Sequence, residues 1–162
     1  MKIMMKHFIR NAEEIVSGVF LSITICTVII NVFLRYIFNL GLFWSEEVAT
    51  ACFVWSVFIG ASACYKRKMH IGIDFLVKMT SKNSQTAIKF IVEIILIIIN
   101  AYIVYLAAIF IRVSYVKPTA VLGISSAFVS TSLLVGFGLI TMHAISFFIN
   151  DVRLISNGMK KI

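Results

Sequence analysis

Four long apolar stretches constrain this chain more than any other feature. They cover residues 15–34, 44–64, 90–111 and 125–149, and a helix needs about 20 apolar residues to cross a bilayer core of roughly 30 Å. The 162-residue chain is 60% hydrophobic and 14% charged, whereas soluble domains are about 25% charged. A compact soluble fold of this size cannot bury so much apolar surface. The sequence therefore predicts an all-α integral membrane protein, with residues 1–162 forming one membrane domain of four transmembrane helices.

Basic residues are unevenly distributed among the segments outside these stretches. The chain has 15 Lys and Arg against 7 Asp and Glu. Most of the basic residues lie in the two terminal segments and in the long connection between the second and third stretches, whereas the short connections carry Arg35, Arg112 and Lys117. By the positive-inside rule we expect both termini and the long connection to be cytoplasmic. In a membrane protein this excess of positive charge indicates contact with anionic lipids, and we expect no nucleic-acid partner.

The long connection contains a further helical pattern. Ile71, Phe75 and Met79 fall on one helical face, which predicts a short amphipathic helix over residues 71–80 in the cytoplasmic interface. The alternative is an ordinary polar loop, and Gly72 weakens the helix prediction. The predicted cytoplasmic lipid interface comprises Lys66, Arg67, Lys68, His70, Asp74, Phe75 and Lys78.

Small and polar residues recur at helical spacing along one face of each stretch. Small residues allow close helix approach in lipid, and hydroxyl or amide groups form hydrogen bonds between helices. Two interpretations remain open: the chain packs against itself, or some of these faces also dock a second membrane protein. The four sets are Ser17, Thr24 and Asn31; Cys52, Ser56, Gly60 and Cys64; Glu93, Asn100, Ala107 and Ser114; and Ser125, Ser132, Gly136 and His143.

Groups that could support catalysis or bind a cofactor are few and scattered. The three histidines lie in a terminal segment, a loop and a span, and the three cysteines lack the spacing of a metal site. No metalloprotease or hydrolase motif is present. We therefore expect no enzyme activity, no metal and no cofactor, and we expect His143 to make a polar contact with a neighbouring helix rather than to ligate haem.

Acidic residues in the stretches lie near their ends. Glu93 follows Lys89 by four residues, a spacing that predicts an interfacial ion pair. The alternative role for Glu93 is an ion-coupling carboxylate. Glu13 and Glu14 precede the first stretch, where acidic side chains favour a helix N-terminus.

Two adjacent acids, Glu46 and Glu47, begin the second stretch on the predicted outer side. The helix dipole accounts for part of their placement. We also expect them to pair with Arg35 across the short connection and so to couple the first two helices.

The four stretches contain no proline, and the two halves of the chain show no convincing inverted repeat. Transporter cores usually have such repeats and helices that are interrupted near mid-membrane. The sequence therefore favours an accessory or scaffold subunit. The alternatives are an independent small exporter that acts as a dimer, and a haem or quinone membrane anchor subunit.

Several short motifs together resemble one family. NVFLRYIF over residues 31–38 is followed by WSEE over residues 44–47, and MHIGID covers residues 69–74. Further matches are Trp55, Gly60, Arg67 and the LGI sequence at residues 122–124. In order and spacing they resemble the small membrane subunit, the Q or DctQ-type component, of tripartite ATP-independent periplasmic (TRAP) transporters.

The resemblance implies a function that composition alone does not indicate. In this family a periplasmic substrate-binding protein delivers an organic acid, of the sialic acid or C4-dicarboxylate type, to a membrane pair in the bacterial inner membrane. The large subunit, here a separate chain, carries substrate and sodium, and the small subunit braces it. Sodium coupling is accordingly expected in the large subunit. With the polar faces described above, the resemblance predicts a partner or packing interface formed by Asn31, Arg35, Trp44, Glu46, Glu47, Cys52, Trp55, Ser56 and Gly60.

Overall fold

The computed structural model describes residues 11–67 and 82–156, which are all-helical apart from their connections. All four helices are long and apolar enough to cross a membrane, which confirms the predicted fold class. The predicted interfacial helix over residues 71–80 lies outside the described residues, as do Lys68, His70, Asp74, Phe75 and Lys78 of the predicted lipid interface. The helices are α1 (Ala12–Phe38), α2 (Phe43–Lys66), α3 (Lys82–Ser114) and α4 (Ala127–Ser156).

The helices extend beyond the apolar stretches that predicted them. The helix α1 begins early enough to include Glu13 and Glu14, because polar side chains can continue a helix into the interfacial region. It is followed by the C-cap residue Asn39, which has a left-handed backbone with φ of 52°. The N–H group of Leu40 then donates to the carbonyl of Leu34 at 3.2 Å, as in a helix-terminating Schellman motif.

The four helices pack in an open row rather than in a closed bundle. Within the described residues α1 contacts α2, α2 contacts α4, and α4 contacts α3, and no other pair of helices packs together. As a result α1 has no buried residue at all. The exposed apolar side chains of such a row require lipid or another membrane protein around them.

Hydroxyl and amide groups join α1 to α2 at several levels. Ser17 donates to the carbonyl of Ser56 at 3.1 Å, and Ser56 donates back to the carbonyl of Ser17 at 3.0 Å. The hydroxyl of Thr24 lies 3.4 Å from the carbonyl of Ala49. One face of α1 is thereby held against α2 over several turns.

A glycine brings α2 and α4 into close contact. A Cβ atom added at Gly136 would lie 2.6 Å from Cβ of Phe58 and 2.9 Å from its carbonyl oxygen. Aromatic pairs fill the interface on either side of this point, with ring centroids 5.7 Å apart for Trp55 and Phe128 and 5.8 Å apart for Phe58 and Phe137. Gly60 of α2 lies close to α1 instead, and a Cβ atom added there would meet only the hydroxyl end of Ser17, at 2.8 Å. This contact restricts the two helices less than the one at Gly136 does, because the end of a side chain can move.

The contact between α3, at one end of the row, and α4 also involves small and polar residues. Asn100, Ala107 and Ser114 of α3 are all buried, with Ala107 only 1% exposed. The amide of Asn100 donates to the carbonyl of Leu96 at 2.7 Å, so the buried polar group is satisfied within its own helix.

The close contact at Gly136 generates a prediction about stability. Replacing Gly136 with alanine forces α4 away from the backbone of α2, and overpacking of this kind costs about 1–3 kcal/mol. Gly138 is a matched control on the same helix, because a Cβ atom there would meet nothing within 4 Å. Thermal unfolding in detergent should show a lower midpoint for Gly136→Ala and an unchanged or higher midpoint for Gly138→Ala. Equal midpoints for the two variants would contradict the proposed contact.

Candidate functional site

A polar cluster centred on Glu13 joins three helices at the end of the row where α1 begins. Glu13 Oε2 accepts a hydrogen bond from Ser62 at 3.0 Å, and Oε1 lies 3.3 Å from Nζ of Lys66. Nε2 of His143 lies 2.9 Å from the same Oε1, and since a carboxylate only accepts, the imidazole is the donor. We call these four residues the Glu13 cluster, and this end of the row the Glu13 end.

The Glu13 cluster connects α1 to α4, two helices that do not otherwise meet. Glu13 lies on α1 and His143 on α4, and these two helices have no direct backbone packing. The polar contact expected between His143 and another helix is confirmed, although the helix that it reaches, α1, does not pack directly against α4. The partner was not predicted, because sequence spacing indicated only that Glu13 would favour the start of α1.

An exposed ion pair reinforces the α1–α2 contact at the Glu13 end. Arg67 donates through Nε to Glu14 at 2.7 Å and also contacts the second carboxylate oxygen. These hydrogen bonds, with the charge of Glu14, raise the pKa of the Arg67 guanidinium above its ordinary value. Lys66 and Arg67, both assigned to the predicted lipid interface, therefore each have an acidic partner on α1.

A second ion pair joins α3 to α4 at the same end. Nζ of Lys89 lies 3.8 Å from Glu93, which confirms the predicted i, i+4 pair. Lys89 also forms an ion pair with Asp151 of α4. The contact with Asp151 was not predicted, because it depends on how the two helices pack.

At the opposite end, which we call the Glu47 end, a carboxylate holds the loop between α3 and α4. Glu47 accepts hydrogen bonds from the N–H groups of Val121 at 2.7 Å and Leu122 at 3.0 Å. The adjacent Gly123 has φ of +66°, a conformation that favours glycine and completes the turn. We call this pair of hydrogen bonds the Glu47 contact.

The loop that Glu47 holds is itself ordered by internal hydrogen bonds. Thr119 N–H donates to the carbonyl of Ile124 at 2.7 Å, and Ser126 N–H donates to that of Lys117 at 2.9 Å. Pro118 and Ser125 form an isolated antiparallel bridge between these two bonds. The WSEE and LGI motifs, which are far apart in sequence, thus meet in the structure.

The expected pairing of Arg35 with Glu46 or Glu47 is wrong. Among the described residues no ion pair within 4 Å joins Arg35 to either acid, and the Glu47 carboxylate instead accepts hydrogen bonds from two backbone N–H groups. At this end of the row, the side-chain oxygen of Asn31 on α1 accepts from the N–H group of Leu42, just before α2, at 3.0 Å. Arg35 and Glu46 line a common open groove of about 500 Å³.

The remaining residues of the predicted partner or packing interface lie in different environments. Trp44 is 45% exposed at the Glu47 end. Trp55 stacks on Phe20 of α1, with ring centroids 5.8 Å apart, and so bridges α1 and α4. Cys52 is half-buried and lines a small cavity. The predicted interface residues are therefore divided between contacts within the chain and exposed positions at the Glu47 end.

Within residues 11–67 and 82–156, no group of three or more His, Cys, Asp or Glu side chains is arranged to hold a metal ion. The polar groups instead form pairs and clusters between helices.

Comparison with known proteins identifies a family. The family model described as the DctQ component of tripartite ATP-independent periplasmic transporters matches residues 24–154. A TRAP transporter small permease protein of Haemophilus influenzae is 34% identical over 92 residues, which make up 57% of this chain and 57% of that relative. The matched part therefore spans little more than half of this relative.

Two relatives from Vibrio cholerae have names that specify a substrate. The C4-dicarboxylate TRAP transporter small permease protein DctQ is 35% identical over 73 residues, 45% of this chain and 32% of its own length. The sialic acid TRAP transporter small permease protein SiaQ is 25% identical over 133 residues, 82% of this chain and 77% of its own length.

The Glu13 cluster generates a prediction about stability. Replacing Glu13 with alanine removes the shared acceptor of three side chains, and we expect a loss of about 1–2 kcal/mol in unfolding free energy. The adjacent Glu14→Ala variant is the control, because it removes only an exposed ion pair of small energetic value. Thermal unfolding in detergent should give the lower midpoint for Glu13→Ala. A lower midpoint for Glu14→Ala would contradict a central role for the Glu13 cluster.

The Glu47 contact generates a prediction about the loop. Glu47→Ala leaves the N–H groups of Val121 and Leu122 without their acceptor, so their amide hydrogens should exchange with solvent faster. Glu46→Ala is a matched control, because its side chain lies in the groove beside Arg35. Hydrogen-exchange mass spectrometry over residues 115–126 makes the measurement. Equal exchange in the two variants would show that Glu47 does not order the loop.

Proposed function

This chain belongs to the DctQ family of tripartite ATP-independent periplasmic transporters, and we propose that within such a transporter it braces the large permease subunit. The chain is thus a component of a transporter rather than of an enzyme family, and a multi-pass protein of the bacterial inner membrane. Its proposed orientation places the Glu13 end in the cytoplasm, since most basic residues lie in segments connected to that end.

The observation that supports a bracing role is the set of polar contacts between continuous helices. At the Glu13 end, Glu13 connects α1, α2 and α4, and Lys89 connects α3 to α4. At the Glu47 end, Glu47 connects α2 to the loop before α4. A row of helices held at both ends changes shape less readily than the interrupted helices of transporter cores.

A tripartite transporter with a small permease component requires two further proteins. We propose a large permease subunit, present as a separate chain, that carries the substrate and couples its movement to sodium. A periplasmic substrate-binding protein would deliver the substrate, and anionic lipids would contact the cytoplasmic surface. We propose no cofactor for this chain.

The proposed substrate class is an organic acid. Two small permease relatives are named for C4-dicarboxylate and for sialic acid, and both compounds carry carboxylate groups. Among the described residues of this chain, no feature selects between C4-dicarboxylates and sialic acid. We propose that the binding protein and the large subunit make this selection.

No contact among the described residues supports the exporter or the haem anchor as an alternative function. An independent exporter would need a membrane-embedded carboxylate, and Glu93 is paired with Lys89 near the start of the apolar part of α3, Ile88–Ser114. A haem anchor would need an available histidine in a span, and His143 contacts Glu13.

Reconstitution tests the proposed function. This chain, the large permease and the binding protein from the same genome should assemble so that a tag on this chain purifies the large permease. In liposomes with an inward sodium gradient, sialic acid or a C4-dicarboxylate should accumulate only when all three proteins are present. Full uptake without this chain would contradict bracing, and uptake by this chain alone would indicate the exporter.

A further inference from the structure

At the Glu47 end, the end of α1 projects beyond the start of α2. The side-chain oxygen of Asn31 accepts from the N–H group of Leu42, just before α2, whereas α1 continues beyond Asn31 as far as Phe38. This further part of α1 is about 10 Å long at the rise of an α-helix. The open groove of about 500 Å³ that is lined by Arg35 and Glu46 lies against this step. We call it the Arg35 groove.

The Arg35 groove has one cationic and one anionic side chain, and the two do not pair. Arg35 and Glu46 are both exposed. Among the described residues, neither side chain forms an ion pair or a hydrogen bond. The N–H groups of the guanidinium and the oxygens of the carboxylate therefore remain available to a ligand. The side chains of Asn31 and Asn39 line the same groove.

These two charges select the charge of the ligand. A simple anion is attracted by Arg35 and repelled by Glu46, and a simple cation experiences the reverse. A zwitterion satisfies both side chains, and a phosphate group suits the planar donors of a guanidinium. The Arg35 groove thus fits a molecule that carries a phosphate and an ammonium group, and it disfavours a dianion such as a C4-dicarboxylate.

Aromatic residues place the Arg35 groove at the level of the lipid headgroups. Tyr36 is 81% exposed, and Phe43, which lines the groove, is 82% exposed. The neighbouring Trp44 is exposed as well. Tyrosine and tryptophan are enriched at membrane–water interfaces, where their rings have an apolar body and a polar group. A ligand of the groove is therefore expected in the headgroup layer.

Nearer the membrane centre, both helices present apolar side chains on the face that carries the charge. Residues seven apart share a helical face. On α1, Val28 and Leu21 precede Arg35 at this spacing, and on α2, Phe53 follows Glu46 at this spacing. All three apolar side chains are exposed. A charged groove above two apolar faces matches a phospholipid, which has a headgroup above two acyl chains, whereas a soluble protein does not reach the apolar faces.

We propose that the Arg35 groove binds the headgroup of phosphatidylethanolamine, a zwitterionic phospholipid with a primary ammonium group. Arg35 binds its phosphate and Glu46 binds its ammonium group, while the acyl chains follow the apolar faces of α1 and α2. Phospholipids surround a membrane protein at this depth, so no dedicated partner is required to fill the groove. The proposal is independent of the bracing role, because it involves only this chain and the membrane.

Native mass spectrometry tests the proposal on the purified chain, freed of lipid and titrated with one phospholipid at a time. Phosphatidylethanolamine should bind about tenfold tighter than phosphatidylcholine or phosphatidylglycerol. The trimethylammonium group of phosphatidylcholine has no N–H to donate to Glu46, and phosphatidylglycerol has no cationic group. Equal affinities for the three lipids would overturn the proposal.

Variants at the two charges assign the headgroup contacts. Arg35→Gln should weaken the binding of both phosphatidylethanolamine and phosphatidylglycerol. Glu46→Gln should abolish the preference between these two lipids, because the ammonium loses its acceptor and the anionic lipid is no longer repelled. Arg112→Gln is the matched control, since it removes a guanidinium from the last turn of α3, outside the groove. An equal loss of binding in Arg112→Gln and Arg35→Gln would indicate unspecific attraction and contradict the proposal.

Chemical coupling gives a measurement on the wild-type chain in its native membrane, with its partner proteins present. A carbodiimide joins a carboxylate to a primary amine that touches it, through an amide bond. Mass spectrometry should then find phosphatidylethanolamine attached to Glu46, and less of this product in Arg35→Gln. A Glu46 product with a lysine of another protein, or none with lipid, would overturn the proposal.

Discussion

The fold depends on how polar groups are satisfied in a medium that offers no hydrogen bonds. Lipid does not drive apolar helices together, because the lipid tails are as apolar as the side chains they would replace. What remains is close backbone approach and hydrogen bonding between helices. The reciprocal bonds of Ser17 and Ser56 join α1 to α2, and the close approach at Gly136 joins α2 to α4. A few small and polar positions thus determine the order of the helices in the row.

The contacts of charged side chains lie toward the two ends of the row, where water and headgroups lower the cost of charge. Glu13, Lys66 and His143 form one group at the Glu13 end, and Glu47 binds two backbone N–H groups at the Glu47 end. Between these ends the contacts come from hydroxyl groups, small residues and aromatic pairs. This distribution restrains both ends of the row without burying charge at mid-membrane, which is consistent with the bracing role proposed for the subunit.

The sequence predicted the features that depend on local periodicity. Four apolar stretches predicted four helices, and the recurrence of Asn100, Ala107 and Ser114 marked positions that prove to be buried. Spacing within one helix also predicted the Lys89–Glu93 pair. Spacing within one helix could not predict contacts between residues that are far apart in sequence, such as Glu13 and His143, whose positions differ by 130. The pairing expected between Arg35 and Glu47 failed because Glu47 accepts hydrogen bonds from backbone N–H groups of a loop far away in sequence.

The open row also leaves bulky apolar side chains exposed along its outer helix α3. The exposed residues of α3 include Ile94, Ile98 and Tyr102, bulky side chains that suit fluid lipid tails. The central helices α2 and α4 also expose apolar side chains, among them Phe53 and Met142. Because each of these helices packs against two others of the row, its remaining surface needs lipid or another membrane protein around it.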